Sequence, residues 1–500
     1  MFEPRDLAVL LRSGAPLVVV ETHEEGLLLD AFRHVVAELL RPLFSWSITQ
    51  GLQRLDMDED GLPACNDSSQ LLELMHADAR RSIWLLFDFS PYLRYAMSIR
   101  RLRELVLGQA AAKHSVVLVG AKVELPEELE SLATRFEVRL PDEARLGQML
   151  REEAFAYSRE HGGKRVQVEA AAQRQLLRHL RGLSLLDARK IVRQLIHDDG
   201  AIRDDDVARA QQAKFKLLGS GGVLHFEPDV ARFEDVAGLK RLKRWIEQRR
   251  RIFIEGSGPP GLDPPRGLLL LGVQGAGKSL AAKACAGGFG VPLLRLDFGA
   301  LYNKYHGETE RNLRDSLRAA EAMAPCVLWC DEIEKGLATS NSDDGVSRRV
   351  LGALLTWMSE RKQPVFLVAT ANSIEQLPPE LLRKGRFDEI FFVDLPGGSA
   401  REQAFAIHLA RRQQAVEGFD FAALSAASAG FSGAEIEQAV VAALYDSHAE
   451  GQRLDQSHVL RALRGSRPIS VVMAENVARL RQWAAERCVP ADDPEPASLA

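Results

Sequence analysis

From 233 to about 395, five short apolar runs (268–271, 293–296, 326–330, 365–369 and 390–393) alternate with longer segments of helical spacing such as 279–289 and 310–323. Strands that are apolar throughout must be covered on both faces, so the alternation predicts a parallel sheet between layers of helices, a three-layer α/β domain. After Pro396 the strand-type runs stop. Segments 401–412, 421–427, 433–449 and 455–463 read as helices and predict a small helical lid.

The amino-terminal half repeats the plan with apolar runs at 17–20, 44–48, 83–87, 116–119 and 136–140. The likeness extends to letters: SVVLVGAKVELPEELESLATRFEVRLPDEARL (115–146) parallels PVFLVATANSIEQLPPELLRKGRFDEIFFVDLPGGSAREQ (364–403). An internal duplication follows. The expected fold is therefore α/β with two tandem modules, each a parallel-sheet domain with a helical lid. The expected division is 1–141 for the first sheet domain, 142–218 for its lid, and 219–232 for a linker containing Gly219, Gly221 and Gly222. It continues with 233–396 for the second sheet domain, 397–466 for its lid, and 467–500 for a tail with a short helix. The acidic, Pro-containing end from Asp492 is expected to be disordered.

Chemistry concentrates in the second half. Gly272-Val-Gln-Gly275-Ala276-Gly277-Lys278-Ser279 fits G-x-x-x-x-G-K-[ST], follows an apolar run and opens a helical segment at Leu280, which is the context the motif requires. Glycines let backbone N–H groups close on phosphates, Lys278 reaches the β- and γ-phosphates, and Ser279 offers its hydroxyl to Mg2+ at a helix N-terminus that favours anions. The run 326–330 ends in Asp331 and Glu332; Asp331 suits the Mg2+ shell and Glu332 suits polarising a water. Alone, an Asp-Glu pair at a strand end is as readily a solvated terminus. Downstream of a phosphate loop it points to chemistry. Asn372, at the end of the 366–369 run, is placed to orient the water. Arg383 and Arg386, on a loop, serve phosphate only in trans; by spacing alone they read as a solvated basic loop.

Bulk properties exclude several classes. The 500 residues carry 64 basic and 69 acidic groups, a net charge of -5, so no global field draws the chain to nucleic acid or to an anionic membrane. Five scattered cysteines argue against a disulfide framework and for a reducing, cytoplasmic setting. The first apolar run, 17–20, is far shorter than the ~20 residues that span a bilayer, so no membrane insertion is expected. The basic stretch 240–251 around Trp245 reads as a solvated helix in preference to a nucleic-acid contact. Cys326 and Cys330 share one face of a strand and read as core.

These elements meet a family. FEDVAGLKRLK from Phe233, the phosphate loop, GALYNKYHGETE from Gly299, LWCDEIEK from Leu328, ATANSIEQLPPELLRKGRFD from Ala369 and GFSGAEIEQAV from Gly430 together resemble an AAA ATPase over 233–465. The resemblance implies ATP and Mg2+ as ligands. Asp235 to Gly238 would border the adenine, Asn372 would be the first sensor, and Arg383 and Arg386 would be fingers completing a neighbouring subunit's site. Gly433 and Ala434 would belong to a lid without a sensor arginine. It also implies self-assembly, a homo-hexamer or ATP-dependent oligomer, with Tyr305 and His306 facing a central pore where they would grip peptide, and a protein substrate or adaptor as partner.

The first half offers PLVVVETHEEGL in place of a phosphate loop. Asp88 stands where Asp331 does but is followed by Phe89 and Ser90, so no hydrolysis is expected there. Arg135 stands opposite Arg386 in the repeat and reads as a surface ion pair. A degenerate module ahead of an intact one, with the tail VVMAENVARLRQWAAERC, resembles the two-module ATPases of an algal plastid reading frame and their bacterial relatives. The leading expectation is a ring ATPase that remodels or pulls on protein. The rivals are an ATP-gated scaffold whose first module recruits partners and, last, a nucleic-acid remodeller.

Overall fold

The computed structural model describes residues 4–57, 65–108, 114–136, 140–219, 222–255, 258–259, 261–301, 309–337, 344–383 and 385–494. It divides into two units, Met1–Arg165 with Leu183–Gln194, and Val166–Gly182 with Leu195–Ala500. The stretch 142–218, expected as the lid of the first half, is divided between them, 166–182 and 195–218 falling in the second unit.

The first unit contains strands β1 (Leu17–Glu21), β2 (Leu43–Ser47), β3 (Gly51–Arg54), β4 (Ile83–Phe87), β5 (Ser115–Gly120) and β6 (Ala133–Phe136), in the spatial order β3-β2-β4-β5-β1-β6. All neighbours run parallel except β2 and β3. Alternate residues of β1 face opposite layers, Leu17 and Val19 on one side and Val18 and Val20 on the other, so each face buries its own cluster. The last strand was expected at 136–140; it lies at Ala133–Phe136, and 137–139 fall outside the described residues. Arg135 pairs on the surface with Glu130 at 3.0 Å and Glu21 at 3.2 Å.

The turn after β1 is short. Only Thr22, His23 and Glu24 separate it from the helix Glu25–Leu39. Glu24 is buried, and its Oε1 accepts the backbone N–H of Leu186, in the first turn of the helix Leu185–Asp199, at 2.7 Å. Asp88, just past β4, holds a left-handed backbone at φ 50°.

The second unit begins with a two-stranded pairing of β7 (Gln167–Val168) and β8 (Ala201–Ile202). Its main sheet comprises β9 (Leu224–Glu227), β10 (Gly267–Gly272), β11 (Leu293–Leu296), β12 (Cys326–Cys330), β13 (Val365–Ala371), β14 (Glu389–Val393) and β15 (Val489–Pro490), in the order β15-β14-β10-β13-β12-β11-β9. Ignoring the edge additions, β14-β10-β13-β12-β11 repeats the succession β6-β1-β5-β4-β2 of the first unit. Leu268 and Leu270 pack on one face with the helices Lys240–Glu255 and Lys278–Phe289; Leu269 and Leu271 pack on the other with Thr309–Ala322 and Asp344–Glu360. Phe253, Phe289 and Phe366 meet with ring centroids 4.6 to 5.7 Å apart, and each buried side chain of this size contributes roughly 1.5–3 kcal/mol. Trp245 of the basic helix lies 6.1 Å from Phe366 and 6.0 Å from Phe391, so its ring belongs to the core and only the charges face water.

Two segments depart from expectation. Leu224–Glu227, inside the anticipated linker, pairs antiparallel with β11, Leu224 opposite Leu296 and Phe226 opposite Leu294. At the other end, Asp492 and Asp493 are held in place. Ala491 O accepts from the N–H groups of Arg241 and Leu242, Asp492 Oδ1 accepts from Lys240 N at 3.0 Å, and Asp493 pairs with Arg241 and Arg244. The free N–H groups and positive pole of the helix Lys240–Glu255 supply the reason. Residues 495–500 lie outside the described residues.

The lid consists of the helices Gly398–Arg411, Phe421–Ala427, Gly433–Ala449 and Gln456–Gly465, closed on Phe405, Leu409, Leu424, Val440 and Val459. Ser432 and Glu435 form a reciprocal cap at the start of the third helix.

Candidate nucleotide-binding site

At the carboxyl end of β10 the chain must leave a crowded strand and turn into a helix with its N–H groups free. Glycine is required twice for different reasons. A Cβ on Gly272 would lie 2.0 Å from Val393 O of the adjacent strand, and Gly277 sits at φ 97°. Val273 to Gly277 form the loop, and Gly275 O accepts the N–H of Ala434 from the lid at 3.2 Å. Lys278 is buried; its Nζ donates to Gly272 O at 2.9 Å and to Val273 O at 2.8 Å. Burial lowers its pKa to about 8, against the opposing pull of Glu334, Asp331 and Glu332.

The carboxylates follow β12 directly. Ser279 Oγ donates to Asp331 Oδ1 at 3.3 Å, and Thr370 Oγ1 donates to the same oxygen at 2.6 Å. Thr370 Oγ1 also accepts from Glu332 N at 2.9 Å, which holds Glu332 in a left-handed backbone at φ 47°. In the first unit Asp88, just past β4, also holds a left-handed backbone. Asn372 Nδ2 donates to Glu332 Oε1 at 2.8 Å, Lys335 pairs with Oε2, and Asn372 N donates to Glu334 Oε1 at 2.8 Å. Burial raises the Glu334 carboxyl above the usual range.

Asp331, Glu332, Thr370 and Asn372 open onto a cavity of about 330 Å³, within the range of small-ligand sites. Gly275, Ala276, Gly277, Lys278, Ser279 and Leu280 line one wall. Asp331, Glu332, Thr370 and Asn372 line the second. Asp235, Val236, Ala237 and Leu239 form the third, and the lid residues Gly433, Ala434, His408 and Glu437 close it. Gly272 lies behind the wall, acting through its carbonyl. Gly238 turns away: its N–H donates to Gln403 Oε1 at 3.1 Å, and a Cβ there would strike Asp492 Oδ2. Only its neighbours face the cavity. Arg383 is exposed and Arg386 donates to Leu355 O at 2.6 Å and to Ser359; neither lines the cavity. Tyr305 and His306 lie outside the described residues.

Thr370, Glu334, Lys335, His408 and Glu437 went unread in the sequence. The first three lie within a few residues of motif positions, but the lid pair is brought in by folding alone. His408 is held below its ordinary pKa by burial, and Glu437 is held low by Arg412 at 2.7 Å.

A parallel sheet with a phosphate loop after β10, acidic residues after β12 and a helical lid over the cleft define a phosphate-loop nucleotide-binding domain. Residues 268–395 match the ATPase family associated with various cellular activities (AAA), residues 4–138 the N-terminal domain of SpoVK-like AAA ATPases, and residues 144–221 the second domain of that group. The chain belongs to the AAA ATPases. It is 33% identical over 489 residues to the AAA domain-containing protein ycf46 of Pyropia yezoensis, covering 96% of this chain and 97% of that one. The ycf46 protein of Guillardia theta is also 33% identical, over 488 residues, 96% of this chain and 94% of that one. Over 232 residues, 44% of this chain and 56% of the other, it is 34% identical to the proteasome-activating nucleotidase of Aeropyrum pernix.

Proposed function

We propose that the second unit hydrolyses ATP with Mg2+ and that a ring of identical subunits uses the cycle to remodel or pull on a protein substrate. The observation that carries hydrolysis is the continuous network from Ser279 through Asp331 and Thr370 to Glu332 and Asn372 on the cavity wall. One hydroxyl and one carboxylate oxygen 3.3 Å apart suit Mg2+, which takes its other ligands from phosphate and water; when bound, it would neutralise charge developing on the phosphates. Lys278 holds the phosphates, Glu332 accepts the proton of the attacking water, and Asn372 fixes the direction of the Glu332 carboxylate.

The ring rests on Arg383 and Arg386. They stand apart from the cavity of their own subunit, so their guanidinium groups act on that of a neighbour. Protein as the substrate class draws support from the relative named for activating a proteasome. The first unit, with the same strand succession but no phosphate loop, is read as a degenerate AAA module that neither binds nor hydrolyses ATP.

The test pairs two variants. Lys278→Ala should abolish ATP binding, whereas Glu332→Gln should bind ATP, turn it over at least about a hundredfold more slowly, and retain a protein partner in a pull-down. Tight ATP binding by Lys278→Ala, or undiminished turnover by Glu332→Gln, would remove the assignment.

A further inference from the structure

Glu334 sits in the short helix Ile333–Leu337 and is 2% exposed, yet it lines no wall of the cavity. Its Oε1 accepts the backbone N–H of Asn372 at 2.8 Å, while its Oε2 is buried without a hydrogen-bond partner among the described residues. A carboxylate kept in the core with one oxygen unsatisfied costs stability, so packing alone does not account for it. What it does achieve is geometric. Asn372 has two anchors, its main chain on Glu334 and its carboxamide on Glu332 at 2.8 Å, and both acceptors belong to the segment that follows β12. With the Asn372 backbone free, the end of β13 could shift and the carboxamide would lose its line to Glu332 Oε1.

We propose that Glu334 is a positioning residue for the hydrolytic step, clamping the Asn372 backbone so that its carboxamide aims the Glu332 carboxylate at the attacking water. The inference rests on the ATPase reading of the cavity and adds to it a residue that touches neither nucleotide nor water. Shape of the acceptor, not charge, decides the effect. Glutamine keeps an oxygen at the same reach; aspartate keeps the charge but falls short by one methylene.

The experiment measures steady-state ATP turnover of the full chain for Glu334→Gln, Glu334→Asp and Glu334→Leu, each alone and with Asn372→Ala. Glu334→Gln should hold kcat within about threefold, and Glu334→Asp and Glu334→Leu should lose about tenfold or more with the KM for ATP within about twofold. In the Asn372→Ala background the losses should vanish, because the residue acts through Asn372. Retained activity in Glu334→Asp with loss in Glu334→Gln, or equal losses in both backgrounds, would overturn the proposal. If Glu334→Leu fails to fold, the Gln and Asp pair decides. Equal turnover by the unaltered chain and by Lys278→Ala would instead sink the ATPase reading itself.

Discussion

The carboxamide of Asn372 reaches from the end of β13 to Oε1 of Glu332 at the end of β12, 2.8 Å away. Two neighbouring strands thus bring together the carboxylate proposed as the base and the carboxamide proposed to aim it. Thr370, two residues before Asn372, ties the Glu332 backbone to Asp331 from the same strand. A shift of β13 relative to β12 would disturb every group in this set together.

Asn372→Ala should therefore lower kcat by about ten- to a hundredfold while the KM for ATP stays within about threefold, since the wall proposed to bind phosphate is untouched. Phosphate release under steady state measures both. A rise in KM with kcat preserved would make Asn372 a binding residue.

Catalysis in trans has a complementation signature. Arg383→Ala subunits and Lys278→Ala subunits should each be inactive alone and recover part of the turnover when mixed, because shared interfaces then pair an intact loop with an intact guanidinium. Recovery should peak near equal proportions. No recovery at any ratio would confine the arginines to their own subunit or to structure, as the contacts of Arg386 with Leu355 and Ser359 would then suggest.

Much of this was legible in the sequence because the fold depends on period. The runs at 293–296 and 326–330 became β11 and β12 without a shift, and 433–449 became a lid helix with the same ends. β9 and β15 were illegible for a physical reason: a strand of two or four residues on an edge owes its pairing to the neighbour, not to its own pattern. The glycines, lysine and acids of the cavity wall were readable because their roles are local. His408 and Glu437 were not, since their position depends on how the lid packs. Asp492 and Asp493 looked like a loose acidic end until the helix N-terminus that Asp492 caps and the arginines that Asp493 pairs with were in view.

In the first unit, the carboxylate of Glu24 already satisfies the Leu186 N–H, where the second unit uses Gly275 O and Ala434 N. Glu24→Ala should speed amide exchange at Leu186 by about ten- to a hundredfold, the worth of one hydrogen bond to a charged acceptor. Saturating ATP should leave exchange across 22–27 unchanged in the unaltered chain. Protection there by ATP would show a second working nucleotide site.

Stability should weaken in mild acid through His179. It is buried, and burial together with the charges of Lys214 and Arg178 lowers its pKa from 6.5 to about 4. The folded chain keeps the imidazole neutral while the unfolded chain takes up a proton below 6.5, so stability falls as the pH drops from 6.5 towards 4. The loss from this group is about 2 kcal/mol between pH 7 and pH 5. Urea midpoints at the two pH values should differ less for His179→Gln. An unchanged difference would place the acid sensitivity elsewhere.

The brevity of the connection after β1 limits any attempt to build a phosphate site in the first unit. Thr22, His23 and Glu24 occupy a passage for which the second unit uses Val273 to Gly277. Exchanging side chains along this turn, even planting a lysine at the helix start, leaves too few peptide groups to encircle an anion. On the proposed reading of the first unit as a degenerate module, a phosphate site there would need a longer connection, so point mutation alone would act as a ratchet that never restores it.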